Sequence, residues 1–297
     1  MLTEKQLDEL ILKLRWFDDK RRTIDDGKKY VFSGKDIRYI HIRNFHEFHN
    51  KSFFRVRSLK SSEDNSIIST FKYPPKECNR LGRANLISKQ VLYAAEDPTT
   101  AMFEYLNTGE AGEYIYLAEW ALKYEIHIPT FNIMEFPWDE REFYQKWNGA
   151  NKTIMEKVQQ LFYLIHNLYR KSNQYEFSAP WSHFLLYKSN ICKMIRYPSV
   201  ATQEISTCNA INIDFFDEHF YLKRIFKLKL EAGIKAGELE FTNEPVVLTS
   251  EIIAGRINNG KIEYEELNEN DKNFWNYYRK QIDHEGNLKF ISDKKPD

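Results

Sequence analysis

The sequence predicts an α+β fold of short, mixed strands with flanking helices. Three observations carry that expectation. Apolar residues recur at helical spacing in some segments, as at Leu7, Leu10, Ile11, Leu14 and Phe17. Other short segments alternate or run apolar like strands, as in SFFRVR at 52–57 and VLYAA at 91–95. The chain has 297 residues, 15% of them aromatic, which allows a sizeable core and argues against disorder. No repeat, low-complexity tract or clear linker divides it.

Taken in order, Thr3 and Gln6 fit a capping box that opens an amphipathic helix over residues 4–20. Its apolar stripe is expected to dock on the same core. Residues 21–50 are mixed and polar. His41, His46 and His49 fall among them, but without the spacing of a zinc motif, so they are read as ordinary histidines. A strand at 52–57 is followed by a polar loop from Ser58 to Lys72 and a second loop around Gly82. After the strand at 91–95, Asp97 is placed to cap a helix over about 98–107. Pro98 takes the first helical position, where its missing N–H costs nothing.

A strand at 113–121 and helices at 138–147, 152–171 and 180–188 follow, the second of them clearly amphipathic. Short strands are expected at 192–197 and 210–216, and a strand with one wet face at 221–230. Beyond residue 236, EPVVLTS and KIEYEEL read as strands and 270–282 as a helix, with a frayed end.

Acidic and basic residues balance at 43 each, which gives no reason to expect general nucleic-acid or anionic-membrane binding. Cys78, Cys192 and Cys208 are odd in number and lack CxxC spacing. A disulfide framework is therefore not expected, and a reducing cytoplasm fits better. The N-terminal stretch has no secretory pattern, and no run approaches the roughly 18 apolar residues of a membrane span.

Four pieces carry the candidate chemistry: FFRVR at 53–57, GRAN at 82–85, LYAAEDPTTAMFE at 92–104 and IRYPSV at 195–200. In this order, and with steps of ten residues from Arg83 to Tyr93 and eleven from Tyr93 to Glu104, they resemble the RES-domain family. The resemblance runs from about Phe53 to Leu230. It divides the chain into an N-terminal helical extension (1–50), a RES-like catalytic domain (51–235) and a C-terminal extension packed on it (236–297). The aromatic residue expected after Gly-Arg is Ala84 here, which opens space or loosens that loop.

The resemblance implies a fold similar to ADP-ribosyltransferases. It also implies an NAD⁺-consuming toxin that a helix-turn-helix antitoxin silences. Arg55, Arg83, Tyr93, Glu104 and Ser199 carry over as site residues, with NAD⁺ as substrate and no cofactor or metal. The residue types suit that chemistry. A guanidinium can grip a pyrophosphate bidentately. Tyr93 can stack on the nicotinamide ring or lie along the ribose. Glu104 can stabilise an oxocarbenium-like centre or hold a ribose hydroxyl, and Ser199 can bond the ribose or the nicotinamide amide.

Singly, each of the five has an ordinary structural reading; the ordered set is what points to a shared site. The acceptor stays open between water, phosphate and a macromolecule, and a nucleotide-sensing module is a further alternative. The aromatic stripes permit a homodimer without requiring one. Ser182-His183 lacks the tight turn of a serine hydrolase, so His183 is expected to line or support the pocket.

Overall fold

A computed structural model describes residues 3–18, 23–32, 42–45, 48, 51–78, 80–106, 113–133, 152–170, 175–202, 206–230, 246–247, 249–279 and 287–288. Ten of the strands form a single mixed sheet. In chain order they are β1 (Ile42–Phe45), β2 (Ser52–Ser58), β3 (Leu92–Ala95), β4 (Tyr114–Leu122), β5 (Ile128–Asn132), β6 (Met194–Pro198), β7 (Thr207–Ile211), β8 (Phe220–Leu230), β10 (Thr249–Asn258) and β11 (Lys261–Glu265). The order across the sheet is β1-β5-β6-β7-β3-β2-β4-β8-β10-β11. Two short strands, β9 (Val246–Val247) and β12 (Asn287–Leu288), pair separately. The fold is α+β. Strands from residues 1–50 and from beyond 236 hydrogen-bond into the same sheet as the central segment.

Helix α1 (Glu4–Asp18) begins with the expected box: Gln6 N–H donates to Thr3 Oγ1, and Thr3 N–H donates to Gln6 Oε1 at 2.9 Å. Leu7, Leu10, Ile11 and Leu14 are buried on its inner face, each contributing about 1.5–3 kcal/mol of burial. That face packs on α4 (Lys152–Arg170), and Lys157 bridges back to Glu4 and Asp8. A second helix, α2 (Ile24–Phe32), lies in the stretch expected to be merely polar. It has its own box, in which Asp26 plays the part usually taken by Glu or Gln: Asp26 N–H donates to Thr23 Oγ1, and Thr23 N–H to Asp26 Oδ2.

The helix expected at 180–188 starts earlier, as α5 (Tyr175–His183) with Pro180 inside it, and continues as a wider π-type turn over Phe184–Lys188. The strand expected at 210–216 is two elements. β7 ends at Ile211, and Asn212 caps α6 (Ile213–His219) by accepting from Phe215 N–H. That Asn ends the strand is a capping effect, which apolar Phe215 and Phe216 conceal. β8 alternates only as far as a bulge at Lys223. Beyond it Ile225 and Phe226 are buried on opposite faces, so the single wet face does not persist. The C-terminal helix is α7 (Glu269–Arg279). The three early histidines, the helix expected at 138–147 and the frayed end lie outside the described residues.

Two apolar layers cover the sheet. Between β2 and β3 the pairing is almost absent: Phe54 meets Ala95 and nothing further pairs, whereas β2 pairs with β4 along its whole length. Helix α3 (Pro98–Leu106) sits over this split, capped by Asp97 Oδ1 accepting from Thr100 N–H at 2.7 Å. No helix among the described residues is long and apolar enough to cross a membrane.

Candidate active site

Where β2 and β3 diverge, their facing backbone groups lose sheet partners, and a cleft of about 330 Å³ opens under α3. Arg55, on β2, reaches across the gap, and its Nη1 donates to the carbonyl of Tyr93 at 3.1 Å. Burial and the neighbouring Arg57 lower its pKa to about 10, so at neutral pH it is a cation short of solvation. Arg57 is taken by Glu63 and the carbonyl of Thr70. Arg55 pairs with no carboxylate among the described residues, and its Nε is buried without an acceptor there.

Arg83 lies at the tip of a tight turn closed by two backbone hydrogen bonds between Gly82 and Asn85. Tyr93 holds this turn from below. Its hydroxyl accepts from Ala84 N–H at 2.7 Å and donates to Asn85 Oδ1 at 2.8 Å. Burial pushes that phenol far above its usual range, so it stays protonated. Gly82 is required by proximity, because a Cβ there would come within 2.4 Å of Asn85 Oδ1 and 2.9 Å of Tyr93 Oη. Ala84 is fully buried and its N–H is engaged, so the missing aromatic does not loosen the loop. Arg83 lies over the ring of buried Tyr197, 5.5 Å from its centroid. It too pairs with no carboxylate among the described residues.

Glu104 projects from α3 and is exposed at the cleft. Its Oε1 accepts from Ser199 Oγ at 2.6 Å and from Cys208 Sγ at 3.4 Å. Ser199 is fully buried behind it, and Thr202 N–H donates to Ser199 Oγ at 3.3 Å, which turns the hydroxyl proton toward the carboxylate. Burial and Glu104 push the Cys208 thiol well above its usual range, so Cys208 is a donor here and no nucleophile.

The structure thus gathers four of the five expected residues on the cleft surface: Arg55, Arg83, Tyr93 and Glu104. Ser199 stands one layer back. Sequence reasoning passed over Tyr197, Cys208, Tyr105 and Tyr175, which also line the cleft. Tyr197 lies inside the YPS piece and Tyr105 next to Glu104, so their places in the motifs were the available signal. Cys208 and Tyr175 carried none. His183 is buried away from the cleft, stacked on Tyr187.

The split sheet thus brings to one cleft two guanidiniums that pair with no carboxylate among the described residues and one carboxylate braced from behind. The family model described as the RES domain matches residues 53–229, and the chain belongs to the RES-domain family. All five candidate residues fall within the match; α1, α2, β1, β10, β11 and α7 fall outside it. No curated protein matches the chain.

Proposed function

We propose that this protein consumes NAD⁺ by breaking the bond between nicotinamide and its ribose. One observation carries the reading: Glu104, fixed by Ser199 and Cys208, faces the same cleft as Arg55 and Arg83. The two guanidiniums suit the pyrophosphate, and Arg55 regains in that anion the partner its burial denies it. The aromatic floor of Tyr93 and Tyr197 suits a flat ring.

As the glycosidic C–N bond breaks, its electron pair goes to the pyridinium nitrogen and neutral nicotinamide leaves. Positive charge builds at the ribose carbon, and the Glu104 carboxylate stabilises it as carboxylates do in glycoside cleavage. Because the leaving group is already cationic, it needs no proton. Water that captures the ribose carbon loses a proton and yields ADP-ribose; inorganic phosphate yields the corresponding phosphate ester. Ser199 acts through Glu104: its hydroxyl holds one carboxylate oxygen so that the other faces the reacting carbon.

The family resemblance supports this activity and the role of a growth-arresting toxin or defence effector held by a helix-turn-helix antitoxin. The test is to incubate the full chain with NAD⁺, with and without phosphate, and to identify products by chromatography. Nicotinamide with ADP-ribose names a glycohydrolase, and phosphate-dependent release names a phosphorylase. Label from the adenylate half on a macromolecule names a transferase. NAD⁺ left intact overturns the reading.

A further inference from the structure

Directly paired residues form one row across the middle of the sheet: Tyr197, Cys208, Ala95, Phe54, Glu119 and Arg224. Paired residues share a face of the sheet. The cleft under Glu104 lies over the first part of this row. A second cleft, of about 650 Å³, lies over the last part, and Phe54 lines both. Ala95 borders the first and Glu96, the next residue, borders the second.

The second cleft carries an excess of positive charge, because Lys51, Lys223 and Arg224 line it with Glu96 and Glu119. The Glu119 side chain is 3% exposed, with Oε1 2.8 Å from Lys223 Nζ and Oε2 2.6 Å from Arg224 Nε. Glu96 is gripped by Arg196 at 2.6 and 2.9 Å, and Lys51 Nζ lies 3.9 Å away. Arg224 also has a buried nitrogen, Nη1, with no acceptor among the described residues, and its guanidinium lies 4.6 Å over the Phe274 ring. Tyr277 stands 69% exposed on the same helix, α7. This aromatic wall is built by a segment outside the family match, which ends at residue 229.

We propose that the second cleft binds the adenosine monophosphate half of the dinucleotide. The base lies against the aromatic residues of α7, and the ribose and its phosphate run back past Lys223 and Arg224 toward the first cleft. This rests on the NAD⁺ reading above and extends it. A cleft of about 330 Å³ is near the bottom of the range for small-ligand sites, about 300–1,000 Å³. A dinucleotide, with two nucleosides and a diphosphate between them, needs more room. Four strand spacings separate Cys208 from Arg224, or about 19 Å, a span suited to an extended ligand. Phe54, which lines both clefts, then lies between the halves.

The test is calorimetric titration of the full chain with AMP, on wild type and on Lys223→Gln, Tyr277→Ala and Glu104→Gln. Tyr277 is largely exposed, and Lys223→Gln leaves Glu119 its Arg224 and Ser52 partners; circular dichroism checks that each variant folds. AMP is expected to bind wild type and Glu104→Gln equally, and each of the other two about 10-fold more weakly, one step of about 1.4 kcal/mol. No AMP binding by wild type overturns the proposal, as does equal affinity in the Lys223 and Tyr277 variants. The readout needs no bond cleavage, so its failure is distinct from failure to release nicotinamide.

Discussion

Ser199 Oγ lies 2.6 Å from Glu104 Oε1 and donates its proton to it from a position sealed from solvent. A buried hydroxyl thus orients an exposed carboxylate. A hydrogen bond to a charged group contributes about 1.5–3 kcal/mol. Ser199→Ala is therefore expected to lower kcat for nicotinamide release by about 10-fold or more. KM should change little, because Ser199 does not reach the cleft surface. Steady-state kinetics on the folded variant reads this split; a change confined to KM would assign Ser199 to substrate contact instead.

Tyr93 is expected to matter through the Arg83 turn. In Tyr93→Phe the buried N–H of Ala84 loses its acceptor, at a cost of about 1–3 kcal/mol. Urea unfolding should show that loss, and KM for NAD⁺ should rise as Arg83 loses its support. Gly82→Ala, whose Cβ would strike Asn85 and Tyr93, should act in the same direction.

His183 predicts the pH dependence of stability. Burial, with help from Lys89 and Lys188, holds its pKa down at about 4, against 6.5 for a free imidazole. Between those values the unfolded chain binds a proton that the native chain refuses. Stability from this residue is complete above pH 6.5 and is lost as pH falls toward 4, up to about 3 kcal/mol. Urea midpoints measured across that window should fall in wild type, and the fall should be shallower in His183→Phe.

Much of the fold is legible in local chemistry. The Thr3–Gln6 and Asp97–Pro98 signals place two helix starts, because caps and their orphan donors are neighbours in sequence. Thr23–Asp26 escapes the same logic because Asp stands where Glu or Gln is usual. The α6 helix is hidden behind apolar residues that suit a strand equally well.

At the site, motif order brings Arg55, Arg83, Tyr93 and Glu104 together, but it does not reveal who touches whom. Ser199 has its partner 95 residues away and Cys208 has the same partner 104 residues away. Those contacts exist only through sheet register, which pairs Cys208 with both Ala95 and Tyr197. The second cleft is still less visible, since Arg224 meets Glu119 through the β4–β8 register and α7 joins them through tertiary packing.

If Glu104 stabilises the breaking glycosidic bond, neutralising it must slow that step without weakening binding. Nicotinamide release from NAD⁺ is followed in wild type and Glu104→Gln, with NAD⁺ affinity titrated on the same preparations. Wild type is expected to release nicotinamide and the variant to lose at least about 100-fold of that rate, at nearly unchanged affinity. Equal turnover in the two proteins, or none in a folded wild type that binds NAD⁺, would contradict that role for Glu104.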